Sequence, residues 1–210
     1  MVRQSLGNLC KEQNIARKKA EAWVGKNERL HERLPIIETA RLILRKPLLS
    51  DASGLFEFLG DPKAMQFTHT DASLKNCRQR IAVHERQRRK DGYAPWTVIL
   101  KNTGRAIGWG GLYDDPFDPG WGVELGYYFH PDAWGRGYGS EFVSATLAEA
   151  DHTLRLAKVG AFARPANKAS QRLLEKAGFK LIRFVPEIER FVFERQRSTA
   201  LTSPTPPTAS

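Results

Sequence analysis

Three glycines at alternate positions, Gly135, Gly137 and Gly139, separate two segments of different period. Before them, Val123 to Phe129 is rich in Val, Leu, Tyr and Phe. It is bounded by Pro119-Gly120 and His130-Pro131-Asp132, which predicts a strand. After them, Phe142, Val143, Ala145, Thr146, Leu147 and Ala150 recur at helical spacing. A strand, a glycine turn and a helix start can cradle a phosphate. Glycine lets the backbone come close, and the first helical N–H groups lack an intrahelical acceptor. Those donors and the helix dipole favour an anion. The spacing is not the dinucleotide fingerprint, and no Gly-Lys-Ser/Thr follows as in a P-loop. A tight strand-to-helix turn without a ligand stays open as the plainer alternative.

A second chemical candidate sits on the strand itself. Glu124 stands two residues before Gly126 among apolar neighbours, which would raise a carboxyl pKa toward neutrality. Such a group can take a proton from an amine, directly or through water. It could equally pair with Lys or Arg on a neighbouring strand, or anchor an amine without deprotonating it. Asp114, Asp115 and Asp118 lack the Gly and Glu positions of a calcium loop, so no metal is expected. No Ser-His-Asp order, nucleophilic Cys context or zinc spacing competes.

The words around these residues are more specific than the glycines alone. Gly135-Arg136-Gly137-Tyr138-Gly139 after Tyr127-Tyr128-Phe129-His130-Pro131 resembles the acetyl-coenzyme A binding motif of the GNAT N-acetyltransferases, with Trp134 where that family carries Gln or Arg. Glu124-Leu125-Gly126-Tyr127 with Trp134-Gly135-Arg136-Gly137-Tyr138 is similar to the RimJ/RimL-like branch, which acetylates ribosomal-protein N-termini and various small amines. Asn167-Lys168-Ala169-Ser170 followed by Leu174-Glu175-Lys176-Ala177-Gly178-Phe179 resembles the family's Asn-containing helix. The resemblance covers roughly Ile36 to Arg195.

It implies acetyl transfer from acetyl-CoA, as co-substrate, to a primary amine in a ternary complex. The acceptor would be a protein N-terminus or a small amine. Backbone N–H groups of Tyr127, Tyr128 and Phe129 would hold the pantetheine arm, and those of Gly135 to Ser140 the pyrophosphate. Arg136 would add charge from outside. Asn167 suits the pantetheine amides and is equally the natural N-cap of its helix. The family's usual acid, a Tyr seven residues after the Asn, is Leu174 here. Ser170 takes its place as the proposed donor to the leaving thiolate, by hydrogen bonding or relay from water. The first two helices would shape the acceptor pocket, with Phe67, Thr68, His69 and Thr70 as candidates between them.

These residues need a scaffold, and the remaining pattern supplies one. Glu38 to Arg45 is expected as one strand. A helix starts at Ser50-Asp51 and stops at Gly60-Asp61-Pro62. Residues 73–91 form a second helix with Ser73 as cap. Trp96 to Leu100 and Ala106 to Tyr113 make a hairpin around Asn102-Thr103-Gly104. Gly108, Gly110 and Gly111 weaken that strand unless something approaches closely. Helices are expected from Tyr138 to Ala150 and Asn167 to Ala177, and strands at 158–163, 179–184 and 191–193. The fold class is α/β: a GNAT fold with a mixed, mostly antiparallel sheet, splayed at the central strand, with helices on both faces.

Composition bounds the rest. The 210 residues suit one domain with tails: a basic extension at 1–34, the transferase domain at 35–197 and a disordered Pro/Thr/Ser tail at 198–210. Cys10 and Cys77 form no disulfide framework or metal cluster, so a reducing, cytoplasmic setting is expected. No apolar run reaches membrane-spanning length, and neither a secretory nor a transit leader is expected at the start. The net charge of +10 is concentrated at 1–34 and 75–91. These runs could meet a polyanion or be solvated helix faces. The alternative function is therefore a nucleic-acid- or ribosome-binding or CoA-sensing protein with little catalysis. A monomer and a homodimer are both open.

Overall fold

The computed structural model describes residues 36–197. The expected basic extension, the Pro-rich tail and Cys10 lie outside these residues. The expected first strand is instead two: β1 (Ile36–Glu38) and β2 (Leu42–Arg45), paired antiparallel. The chain turns at Thr39, whose hydroxyl accepts from the Leu42 N–H at 2.9 Å and whose own N–H donates to the Leu42 carbonyl. Thr39 Oγ1 also donates to Glu141 Oε1 at 2.6 Å, so the turn is pinned to a distant helix.

A 3-10 turn at Leu49–Asp51 then leads into α1 (Ala52–Leu59). Ser73 caps α2 (Leu74–Asp91), accepting from the Asn76 N–H at 3.2 Å, and Gly92 ends it in the left-handed region at φ 85°. The hairpin is β3 (Trp96–Leu100) and β4 (Arg105–Tyr113). Strand β5 (Glu124–Phe129) enters the glycine turn, and α3 (Tyr138–Ala148) leaves it. This helix runs on through one π turn to Thr153, past the expected end at Ala150. The order finishes β6 (Lys158–Ala163), α4 (Lys168–Lys176), β7 (Lys180–Val185) and β8 (Arg190–Gln196).

The eight strands form one sheet in the order β1-β2-β3-β4-β5-β6-β8-β7, antiparallel everywhere except β5 against β6. Two apolar clusters cover its faces. One joins Phe142, Val143 and Leu147 of α3 and Leu174 of α4 to Leu42, Leu44, Val98 and Leu125. The other joins Leu55, Phe58 and Leu59 of α1 and Cys77 and Ile81 of α2 to Trp109. Alternation along β5 serves both. Tyr127 and Phe129 meet the Phe142 ring, while Tyr128 stacks on Trp109 at 5.9 Å.

Two glycines of β4 lie where β5 presses on it: a Cβ at Gly110 would lie 2.7 Å from the Tyr127 Cα, and one at Gly108 would meet the Phe129 ring. The expectation of close approach holds for all three, but at Gly111 the approaching residues are Pro95 and Trp96.

One buried ion pair ties the front of the sheet to α1. Arg45, 3% exposed, makes two 2.7 Å hydrogen bonds to the Asp51 carboxylate. That carboxylate also accepts from Thr97 Oγ1 and the Leu48 N–H, both at 2.9 Å. Removing one partner strands a charge where water cannot reach it. Asp51→Ala should cost about 3–5 kcal/mol in urea unfolding, the range for breaking a buried pair. A loss below about 1 kcal/mol, as for an exposed pair, would show that the network does not anchor α1.

Candidate active site

Strand β5 pairs with β4 along its whole length, but with β6 at one register only, Glu124 opposite Gly160. Beyond that point the two strands part. The β6-facing edge of residues 125–129 is left without a strand partner, as a splayed central strand requires. A cavity of about 340 Å³ opens along this edge. Five residue steps at about 3.3 Å separate its ends, from Glu124 to Phe129, by roughly 17 Å.

At the far end the chain passes through Gly135 (φ 69°) and Gly137 (φ 78°). Gly137 is the N-cap of α3, so no side chain caps the first turn. The N–H groups of the first turn and the positive end of the dipole are therefore left free at the cavity, an arrangement that favours an anion. A side chain at Gly137 would be strained in the left-handed region. Trp134 explains its own departure from the family pattern. Its indole Nε1–H donates to the Phe129 carbonyl at 3.0 Å and ties the turn back to the strand end.

Arg41 holds the same turn from outside. Its guanidinium donates to the Arg136 carbonyl at 2.9 Å and to Glu141 Oε2 at 2.6 Å, and lies 4.5 Å from the Tyr138 ring centroid. The sequence stretch containing Arg41 was assigned only to opening the domain. Its contact with the turn depends on β2 lying beside α3, which no local pattern announces.

Glu124 lies at the near end, 8% exposed. Its carboxyl makes no hydrogen bond to another described side chain. Burial pushes its pKa up to about 8; the nearby Asp115, Asp118 and Asp114 add to the rise, and Arg190 opposes it. The alternative pairing with a neighbouring Lys or Arg is not formed among the described residues. Tyr113 stands beside it, and its phenol occupies the space where a Gly126 side chain would be. Burial raises the Tyr113 pKa, as do the neighbouring Tyr128 and Glu124.

On the opposite face of β5, Tyr127 Oη and Ser170 Oγ are 2.8 Å apart. Burial pushes the Tyr127 phenol up to about 12 despite this bond. Ser170 is held from behind as well. Its N–H donates to Asn167 Oδ1 at 3.1 Å, so Asn167 is the N-cap of α4, with its amide NH₂ left for other partners. Leu174, 1% exposed, packs in the core and lines the cavity from α4 with an apolar side chain in place of a phenol.

The cavity brings together Glu124, Tyr127, Tyr128, Phe129, Trp134, Gly135, Gly137, Tyr138, Gly139, Asn167 and Ser170. Arg136 and Ser140 are exposed and do not line it. Phe67 and Thr68 line its near end; His69 and Thr70 do not. Arg190, Phe162 and Tyr113 were missed. They reach the cavity from β8, β6 and β4, and only the sheet order brings them there. Among the described residues no group of His, Cys, Asp and Glu could hold a metal. Cys77 is in the α1–α2 cluster, where burial pushes its thiol up to about 12.

A family model described as an acetyltransferase (GNAT) domain matches residues 41–180. The uncharacterized protein YkkB of Bacillus subtilis is 34% identical over 144 residues, covering 67% of this chain and 82% of YkkB. An acetyltransferase from Agrobacterium tumefaciens has a crystal structure with a TM-score of 0.69 and 25% identity, covering 78% of this chain and 95% of that one. RimL, a ribosomal L7/L12 alpha-N-protein acetyltransferase solved with coenzyme A, shares the fold at a TM-score of 0.67 and 17% identity, covering 78% of this chain and 98% of RimL.

The raised Glu124 pKa has a consequence for stability. The folded chain holds an extra proton between about pH 4.5 and 8. The stability carried by that proton is complete below the unfolded value and is lost as pH rises through the folded one. Glu124→Gln removes the ionisation. Its melting temperature should match wild type near pH 4 and exceed it at pH 9. Parallel melting curves across that range would mean that the carboxyl titrates as an ordinary exposed one.

Proposed function

The chain belongs to the GNAT acetyltransferase family, and from that premise we propose that it acetylates a protein N-terminal amine, with Glu124 as the base and Ser170, oriented by Tyr127, as the donor to the leaving sulfur. Acetyl-CoA is the co-substrate and, when bound, supplies the thioester acetyl group. The observation that carries the proposal is the unpaired, buried Glu124 at one end of the cavity and an uncapped helix start at the other.

The residues suit this substrate. The unpaired edge of β5 offers backbone donors along an extended arm, and the Gly135–Gly139 turn offers them to a pyrophosphate. The Asn167 amide lies between. Arg136 and Ser140 contribute backbone rather than side chains. At the amine end, Glu124 with a pKa near 8 takes a proton from an ammonium group at little cost, leaving the neutral amine to attack. At the sulfur end, the Tyr127 phenol donates to Ser170 Oγ. The serine hydroxyl hydrogen is then free to point into the cavity and stabilise the developing thiolate. Cys77 is remote, which favours direct transfer over a covalent enzyme intermediate.

Residues 35–197 are taken as the transferase domain, acting in the cytoplasm. No described helix is long and apolar enough to cross a membrane. The choice of a protein N-terminus rests on the likeness to the RimL branch; a small amine is the competing acceptor. A binding protein with little turnover would have no use for a buried carboxylate facing the cavity.

Thiol release from acetyl-CoA against N-terminal peptides, amino acids and small amines tests the acceptor. Peptide-dependent release is expected, and release with small amines alone would replace the proposed substrate. The kcat/KM should rise with pH through about 8, because the base must be unprotonated. Glu124→Gln should lower it by about 100-fold or more and flatten that rise.

Tyr127→Phe should lower kcat by about tenfold, the rate equivalent of one lost hydrogen bond, with KM for acetyl-CoA unchanged. Ser170→Ala should lose at least as much, and the double variant no more than Ser170→Ala alone. Additive losses would mean that the two hydroxyls act separately.

A further inference from the structure

Helix α2 has two faces with different tasks. Cys77, Ile81 and His84 point inward, and His84 packs against Trp109 and Tyr113 at 5.1 and 5.3 Å. Successive helical residues turn by about 100°. Lys75, Arg78, Arg86, Arg89 and Lys90 therefore fall within an arc of about 120° on the opposite side. All five are exposed. None forms an ion pair among the described residues, whereas Arg80 pairs with Asp71 and Arg88 with Glu85. The acids of this helix lie off the stripe: Glu85 is held by Arg88 and Lys46, and Asp91 falls on the inward side of the helix, about 160° from Lys75. The stripe runs about 22 Å along the axis.

We propose that the outer face of α2, through Lys75, Arg78, Arg86, Arg89 and Lys90, binds the phosphate backbone of RNA. Its chemistry selects against the other polyanions. Gln79 and Ala82 are the only other residues on the stripe, so it has no apolar or aromatic anchor for a protein interface core. The same lack leaves nothing to insert into a bilayer. Three of the five cations are arginines, whose fork matches two phosphate oxygens at once. The cations form two groups, Lys75 with Arg78 and Arg86 with Arg89 and Lys90, in which i,i+3 and i,i+4 neighbours stand about 5–6 Å apart. About 12 Å along the axis separates Arg78 from Arg86, so the groups suit phosphates on two stretches of a backbone. RNA rather than DNA follows from the proposed acceptor class, and to that extent the assignment rests on the preceding reading. For an acceptor held in a ribonucleoprotein, the N-terminus would be presented beside RNA. A backbone docked on α2 would lie one helix thickness from Tyr113 and the near end of the cavity.

The test uses the full chain and a fluorescent RNA stem-loop, with anisotropy read across a salt series. It needs neither acetyl-CoA nor an acceptor, so its failure is separate from failure of the transferase reading. Wild type should bind with a steep salt dependence. The variant R78Q/R86Q/R89Q should bind at least tenfold more weakly at 100 mM salt, with the log–log slope reduced by about 2–3 units, the share of three phosphate contacts. Residues 1–34 are also basic, so the difference between the two proteins is the measure. The variant should keep its melting temperature and its thiol release with a free peptide. Equal binding by variant and wild type would overturn the proposal. So would tighter, equally variant-sensitive binding to a matched DNA duplex, to polyglutamate or to anionic vesicles.

Discussion

Between Glu124 and Phe129, strand β5 has a neighbour on one edge and open space on the other, and the geometry of the site follows from that divergence. A sheet that stayed paired would satisfy every backbone group of β5 and leave nothing to recognise a ligand. The strand can part from β6 because it is held unusually tightly by β4, where Gly110 removes the side chain that would keep the two backbones apart. It does not flap free at its end, because Trp134 fastens the following turn to the Phe129 carbonyl. An unpaired edge is ordinarily a liability in a sheet. Here it is half-buried and flanked by α3, α4 and β6, so it faces a cavity rather than open solvent along a flat sheet edge.

The same divergence divides the cavity electrically. Its far end is the positive start of α3, braced by Arg41, which spans Glu141 and the Arg136 carbonyl. Glu141 is engaged three times over, by Thr39 and by the backbone and side chain of Arg41. These bonds hold its carboxyl below its ordinary pKa even though burial works against them. That acid is therefore held ionised against Arg41, and the pair fixes the turn to the residue before β2. The near end is the reverse. Glu124 is surrounded by Asp114, Asp115 and Asp118, with Arg190 as the opposing charge. An elongated substrate with an anionic head and a group transferred to an amine has one natural orientation in such a field, and the amine arrives where the carboxylates are.

Much of this was legible in the sequence because it is local. The strand–glycine–helix word predicts its own geometry, and Ser73 and Asn167 mark helix starts through capping chemistry that depends on a few neighbouring residues. The misplaced features are those set by distant partners. Glu38 to Arg45 has strand composition throughout, yet it breaks at Thr39 because Glu141, a hundred residues on, holds the turn. The apolar pattern of α3 gave no sign of its π turn. Arg190, Phe162 and Tyr113 carry no motif at all. They enter the site through the order of strands, and strand order is a property of the whole sheet.

Leu174 shows how a local rule can mislead when the unit of function is a pair of groups rather than a position. Judged by the helix alone, the loss of Tyr at this place removes the proton donor. In the fold, a phenol still reaches the cavity, but from β5, and it meets α4 at Ser170. A buried hydroxyl needs a partner; Leu174, 1% exposed and lining the cavity, supplies an apolar wall instead. The Tyr127 phenol has such a partner, and Ser170 is fixed from its other side by the Asn167 cap. The hydroxyl pair is thus supplied by a strand and a helix together. Its placement depends on the same divergence that opens the cavity, because a β6 that stayed beside β5 would leave no opening along that edge.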